Sequence, residues 1–360
     1  MDKSIAPRLL RRGLEVFAVV SAVGFAGILL YGNNLPFFIE ATLNLHWSWL
    51  LLGLALASAD WMGGGVRLFV LLRHLRSVVS FKGCVLSAGL NAWATMLTPS
   101  QAGGGPVGIY VLKQYGTPIP AGTIATFMSF VATILFFAVA GPVAIFLGAG
   151  SSLEEHGVLG ALSLRDLFRL SLGGFVGVGV VILIIFVFPG LVRAFLRYLL
   201  AKLEGRASPG LLKRVAGLSD GVDQLHAAMV AFLSPRGWLA LGVAVVLTAV
   251  AYANKLLAGY IVLRTVGIEA PFVDVLLLQT LIVFLLYFAP TPGGSGLAEI
   301  LSAAVMSIYV PRELTPSYIL MWRIIGSYLT VGLGSILFWR WLKLAEGRVM
   351  EVDAGAPNGP

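Results

Sequence analysis

Charge is what this chain has least of. Only 12% of its 360 residues are charged, 58% are hydrophobic, and the mean hydropathy is +0.91. A soluble domain carries about 25% charged residues, so most of this surface faces something other than water. Cysteine is nearly absent. A lone Cys84, set in an apolar stretch, excludes an intrachain disulfide, and four scattered histidines offer no metal-ligand spacing. His46, His74, His156 and His226 fall in loops or flanking segments without clustered acids, so no catalytic constellation and no enzyme activity are expected. The runs GGGVRL (63–68) and GGGPVG (103–108) lack the Lys-Ser/Thr of a phosphate-binding loop, so neither a nucleotide nor any other cofactor is expected. The net charge of +8 is not gathered into one face, which argues against nucleic acid as a partner.

What is there instead is a series of apolar runs of about 20 residues, each long enough to cross roughly 30 Å of hydrocarbon. Six read as full spans: about 14–32, 47–72, 118–149, 171–192, 237–263 and 316–339. The run after Arg12 has no small-x-small cleavage site, so it is expected to be a retained first helix. Two further apolar segments, 81–112 and 272–310, are interrupted near the middle by Pro and Gly.

Basic residues orient the spans. Lys3, Arg8, Arg11 and Arg12 place the N-terminus in the cytoplasm, and Arg73, Arg76 and Lys82 return the chain there after the second span. The stretch 193–236 carries seven Lys/Arg against three acids, and Arg340, Lys343 and Arg348 hold the C-terminus on the same side. Two clear spans lie between the inside residues Arg73 and Arg193. Segment 81–112 must therefore cross zero or two times, and the same parity applies to 272–310. Each is expected to be a re-entrant hairpin or tight helical pair, the first entering from the cytoplasm and the second from outside.

The two segments are also copies. A shift of 191 residues pairs Leu72 with Leu263, Arg73 with Arg264, Phe81 with Phe272, Leu86 with Leu277 and Leu90 with Leu281. It also pairs Pro99 with Pro290, Gly103 with Gly294, Gly105 with Gly296 and Ile109 with Ile300. Opposite entry with matched sequence implies an inverted-topology repeat, whose substrate site lies near the midplane at broken helices. The expected fold is an all-α polytopic membrane protein with six full spans and two re-entrant broken-helix hairpins. It is a single transmembrane domain over 1–345, with repeat copies at about 47–192 and 237–339. A cytoplasmic amphipathic linker, 193–236, joins the copies, and 346–360 is a disordered tail.

TPSQAGGGPVGIYVLKQYG (98–116) and APTPGGSGLAEIL (289–301) resemble the two signatures of the lysylphosphatidylglycerol-synthase transmembrane-region family, also called flippase-like. The resemblance runs from about residue 10 to 345. It implies a membrane domain that translocates polar lipids, without the soluble synthase domain that full-length relatives append. Relatives often carry an acid after the glycines in the first copy as well. Here the first copy reads Gly103-Gly104-Gly105-Pro106, and only the second has its acid, Glu299.

Ionisable groups at membrane depth are costly and mark candidate sites. Asp60 and Arg67 sit two helical turns apart on the second span, able to pair or to line one wall of a cavity. Lys255, beside Asn254, lies too deep in its span to snorkel. Glu299 can cap the half-helix that follows the glycines, or meet Arg323 in the last span or a cationic headgroup. Arg323 suits a lipid phosphate by its planar fork. Asn91 and Gln101 add neutral donors beside the first motif, and Pro290, Pro292, Gly293, Gly294 and Gly296 shape the second. Lys113 and Tyr115 read as interfacial anchors. The linker 193–236 sets Phe195, Leu199, Leu203, Leu211, Val215 and Leu218 among basic residues. That suits a helix lying on an anionic leaflet or a docking segment for a lipid-synthesis enzyme.

The expected function is flipping or scrambling of a polar lipid or lipid-linked precursor in a bacterial or archaeal cytoplasmic membrane. Its expected partners are anionic or glycosylated lipids. The alternatives are a small-solute secondary transporter, an intramembrane lipid-modifying enzyme and a membrane scaffold.

Overall fold

The computed structural model describes residues 5–30, 35–98, 103–147, most of 173–203, short stretches of 222–230, 232–287 and 289–340. It is helical, with no strand among the described residues. Five helices are long and apolar enough to cross a membrane: Leu10–Leu30, Trp47–His74, Ile119–Ala144, Pro235–Thr265 and Arg312–Arg340. They coincide with five of the six expected spans. The sixth, 171–192, is described only in interrupted stretches, and the tail 346–360, Pro99 and Gln101 lie outside the described residues.

In chain order the helices are α1 (Ile5–Leu30), α2 (Leu35–Leu43), α3 (Trp47–His74), α4 (Phe81–Leu97), α5 (Gly104–Gln114) and α6 (Ile119–Phe146). Then come α7 (Pro189–Leu203), α8 (Pro235–Ala251), α9 (Ala253–Thr265), α10 (Phe272–Leu286), α11 (Leu297–Met306) and α12 (Thr315–Arg323). A π-helical turn, Ile324–Tyr328, continues α12 into helix 329–340. Two features depart from expectation. The span expected at 237–263 is interrupted at Tyr252, which separates α8 from α9, and α2 is a short helix with no counterpart in the sequence reading.

Both broken segments are pairs of half-helices. At about 1.5 Å per residue, the 11 residues of α5 and the 10 of α11 are too short to cross a bilayer alone. The first pair is antiparallel. Ser87 Oγ donates to the Gly108 carbonyl at 2.8 Å, and a Cβ on Gly83, near the start of α4, would lie 2.6 Å from Tyr115, just past the end of α5. The second pair closes the same way, with the Tyr309 hydroxyl donating to Asp274. Asp274 is the position 191 residues after Gly83, while Tyr309 lies three residues beyond the position equivalent to Tyr115. The element ends follow the same shift: α3 ends at His74 and α9 at Thr265, and α4 begins at Phe81 and α10 at Phe272.

Lipid tails are as apolar as leucine, so helices in a membrane associate through close packing at small residues. Gly63, Gly64 and Gly65 serve this in α3. A Cβ on Gly63 would come within 2.7 Å of the Ala251 backbone, and one on Gly65 within 2.7 Å of Val85 Cα. Three consecutive glycines therefore let α3 press against α8 and α4 together. Helix α1 covers the hairpin tips: a Cβ on Gly13 would lie 2.0 Å from the Leu97 carbonyl oxygen, and Ser21 bonds Ser295 at 3.2 Å.

Of the expected amphipathic linker, α7 is described. It buries Leu196 against Val222 and exposes Leu191, Phe195 and Tyr198 beside Arg197. Leu211, Val215 and Leu218 lie outside the described residues.

Candidate functional site

The ends of both hairpins open on one cavity of about 600 Å³. Its walls come from α3, α4, α5, α6, the α8–α9 break, α10, the second glycine motif and the π-helical turn. Polar side chains are concentrated there. Asp60, Arg67, Asn91, Gly105, Lys255, Gly293, Gly294 and Arg323 line it, so eight of the expected site positions, drawn from both halves of the chain, share one space.

The two glycine motifs reach that space by different physics. In the second, Gly293, Gly294 and Gly296 have φ of 57°, 66° and 81°, a region closed to most side chains. Pro292 opens the 3₁₀ turn just before them, and Pro290 stands exposed ahead of it. In the first, Gly103 has φ of −78°, and the requirement is proximity. A Cβ on Gly104 would sit 2.1 Å from Thr95 Oγ1, and one on Gly103 would sit 2.5 Å from Thr98 Cγ2. Thr98 Oγ1 in turn accepts from the Gly103 N–H at 2.8 Å, helping to start α5.

Glu299 and Arg323 form the most buried ion pair among the described residues, 0% and 2% exposed, at 2.8 Å. Glu299 fulfils two of its expected roles together. Oε1 accepts from Arg323 Nε, and Oε2 accepts from the Gly296 N–H at 2.7 Å, capping α11. Arg323 Nη1 donates to the Gly293 carbonyl at 3.1 Å and to Ser327 Oγ at 3.3 Å. Its Nη2 has no hydrogen-bond partner although the group is buried at the cavity wall. The π-helical turn follows directly. π-bulges are frequent at functional sites, and here the turn lines the cavity with Gly326 and Ser327. Behind it, Trp322 Nε1 donates to Gln279 Oε1 at 3.0 Å, which fixes the residue next to Arg323.

Asp60 and Arg67 line one wall, as their spacing allows, yet they do not form the direct pair. Asp60 accepts from Lys255 at 2.8 Å, across 195 residues of sequence. Lys255 stands in the first turn of α9, just after the interruption at Tyr252. Lys255 Nζ lies 4.8 Å from the centre of the Tyr252 ring, a cation–π contact that supports the ammonium from a second side. Neighbouring Asn254 is fully buried, with neither side-chain polar atom bonded. Arg67 is held by hydroxyls, donating from Nη1 to Thr248 Oγ1 at 2.9 Å and Thr133 Oγ1 at 3.1 Å. Its Nε is unpartnered, and no carboxylate among the described residues forms a salt bridge with it. Asn91 faces the same space, with Thr95 Oγ1 donating to its Oδ1 at 3.4 Å.

Thr123, Thr126, Ser129 and Thr133 were not among the expected site residues, yet all four line the cavity from α6. Their spacings of three and four residues make a polar stripe on an otherwise apolar helix, a signal present in the sequence. Thr95, Tyr252, Tyr287, Thr291, Trp322 and Ser327 add to the unforeseen polar lining. No group of three or more His, Cys, Asp or Glu able to hold a metal occurs among the described residues.

Residues 15–334 match the family described as lysylphosphatidylglycerol synthase TM region. The chain belongs to that family. A UPF0104 membrane protein of Archaeoglobus fulgidus is 23% identical over 293 residues, covering 81% of this chain and 86% of the relative. Length, apolar helices and family agree on a multi-pass membrane protein of the lysylphosphatidylglycerol synthase TM region family.

Proposed function

We propose that this protein moves a polar lipid, or a lipid-linked precursor, between the leaflets of the cytoplasmic membrane without modifying it. The observation that carries this reading is the cavity itself. Two broken hairpins end on it, and it gathers three cationic side chains, Arg67, Lys255 and Arg323, with Asp60, Asn91 and the hydroxyls of α6 inside a bundle of apolar helices. Charges at such depth are retained where they face a wet path or a polar cargo, and irregular backbone is tolerated only where it lines a cavity or is buried in protein.

In this reading the two half-chains are inverted copies. The first hairpin enters from the cytoplasm and the second from outside, with both termini cytoplasmic, and the tips meet near the midplane. The matching ends of α3 with α9 and of α4 with α10 support the repeat. The headgroup occupies the cavity while the acyl chains stay in the bilayer. No nucleotide site is invoked, so exchange is passive or coupled to an ion gradient.

The test is leaflet exchange of headgroup-labelled lipids in liposomes holding the purified full chain. Faster loss of the inner-leaflet label than in empty vesicles is expected for at least one polar lipid class. Folded protein that accelerates none of the anionic, zwitterionic, cationic and glycosylated lipids tried would refute the proposal.

A further inference from the structure

The charges around the cavity do not balance, and the imbalance specifies a ligand. Asp60 is committed to Lys255, and Glu299 has one oxygen on Arg323 and the other on the Gly296 N–H. Three cations, Arg67, Lys255 and Arg323, therefore stand against two carboxylates, leaving one positive charge. Asp60 also attracts Arg67 through space, but one carboxylate cannot neutralise both Arg67 and Lys255. A desolvated, uncompensated charge is unfavourable by several kcal/mol unless an anion or water meets it. The donors left over belong to two residues that line the same cavity. Arg67 Nε and Arg323 Nη2 are both buried and without hydrogen-bond partners. Each belongs to a planar guanidinium fork whose geometry matches two oxygens of a phosphate.

We propose that the cavity binds one phosphate anion of single negative charge between Arg67 and Arg323, and that it disfavours cationic headgroups. The inference rests on the reading of the cavity as a headgroup site and adds the charge class of what enters it. A phosphodiester supplies two non-bridging oxygens and one negative charge, enough to satisfy both free donors and bring the site to neutrality. A cationic headgroup meets the opposite situation: Glu299 is 0% exposed with both oxygens occupied, and the charge of Asp60 is already shared between Lys255 and Arg67. The phosphate could arrive on a phospholipid or as the free ion, and the experiment separates these sources.

The experiment is isothermal titration of the detergent-solubilised full chain with four probes: dihexanoyl-phosphatidylglycerol, dihexanoyl-phosphatidylcholine, a lysyl-phosphatidylglycerol and inorganic phosphate. Phosphatidylglycerol is expected to bind most tightly. Arg67→Gln is expected to weaken it roughly ten- to hundredfold, the effect of removing a charge-assisted donor. Arg67→Lys keeps the charge but loses the fork, and is expected to fall between wild type and Arg67→Gln. It also guards against a folding defect in the glutamine variant, with thermal stability measured alongside. Inorganic phosphate that binds with the same Arg67 dependence and displaces the lipid assigns the site to the free ion and keeps the phosphate chemistry. Equal affinity for the anionic and cationic lipids, unchanged by Arg67→Gln, overturns the inference. Selective binding without leaflet exchange would refute the translocation reading and leave this one standing. Leaflet exchange indifferent to headgroup charge and to Arg67→Gln would do the reverse.

Discussion

Substituting Glu299 with Gln tests the buried pair that anchors the second hairpin. The change is nearly isosteric, but it removes the charge opposite Arg323, which is 2% exposed and 2.8 Å away. It also forces an amide to serve two donors, Arg323 Nε and the Gly296 N–H, with one oxygen. Breaking a buried ion pair from one side is destabilising by about 3–5 kcal/mol, because the remaining charge is stranded. Removing both charges with Glu299→Gln/Arg323→Met is expected to recover much of that loss. A neutral, well-packed replacement of a buried pair is often close to neutral in stability. The assay is equilibrium unfolding in mixed micelles by added denaturing detergent, with all four members of the cycle measured under the same conditions. A loss below about 1 kcal/mol for the single variant, the range of an exposed pair, would refute the reasoning. So would a double variant whose loss is the sum of the two single losses.

Three further outcomes are expected. Gly293→Ala places a Cβ at φ 57° and within 2.7 Å of the Phe17 ring, so it is expected to destabilise by about 2 kcal/mol or more in the same assay. Gly27→Ala, with nothing within 4 Å, is the matched control and is expected to change little. Gly104→Ala, whose Cβ would meet Thr95 Oγ1 at 2.1 Å, is expected to cost about 1–3 kcal/mol by forcing α4 and α5 apart, seen as a lower unfolding midpoint. Asp60→Asn leaves the Lys255 ammonium without its carboxylate and is expected to be rescued in part by Lys255→Met, with a coupling above about 1 kcal/mol in a double-mutant cycle.

The parts of the fold that were legible are those written in local chemistry. Phe81 and Phe272 begin matching half-helices, and the Pro/Gly runs fall where α4 and α10 stop, because proline and glycine act on their own backbone wherever they stand. Glu299 showed its cap by its place on the first turn after Gly296, and Arg323 was within the set of partners its depth allowed. The Asp60 pair was not legible. Seven-residue spacing puts Asp60 and Arg67 on one face of α3, but which cation reaches the carboxylate depends on α9 lying across that face. The long Lys255 side chain arrives there from the first turn after the interruption at Tyr252. The α6 stripe is written in the sequence but is ambiguous there, since single Thr and Ser residues in an apolar span are tolerated without any site. The π-helical turn after Arg323 carries no Pro or paired Gly to announce it.

The central claim is that a headgroup crosses through the cavity between the two hairpins, and blocking that cavity tests it most directly. Gly105 lines it, and a Cβ there meets nothing closer than Thr126 Cγ2 at 3.9 Å, so a large side chain projects into open space. The measurement is the leaflet-exchange rate of labelled phosphatidylglycerol in matched proteoliposomes of wild type and Gly105→Trp. The account predicts that the variant keeps the wild-type unfolding midpoint while its exchange rate falls to that of empty vesicles. Exchange at the wild-type rate with the cavity filled would contradict it.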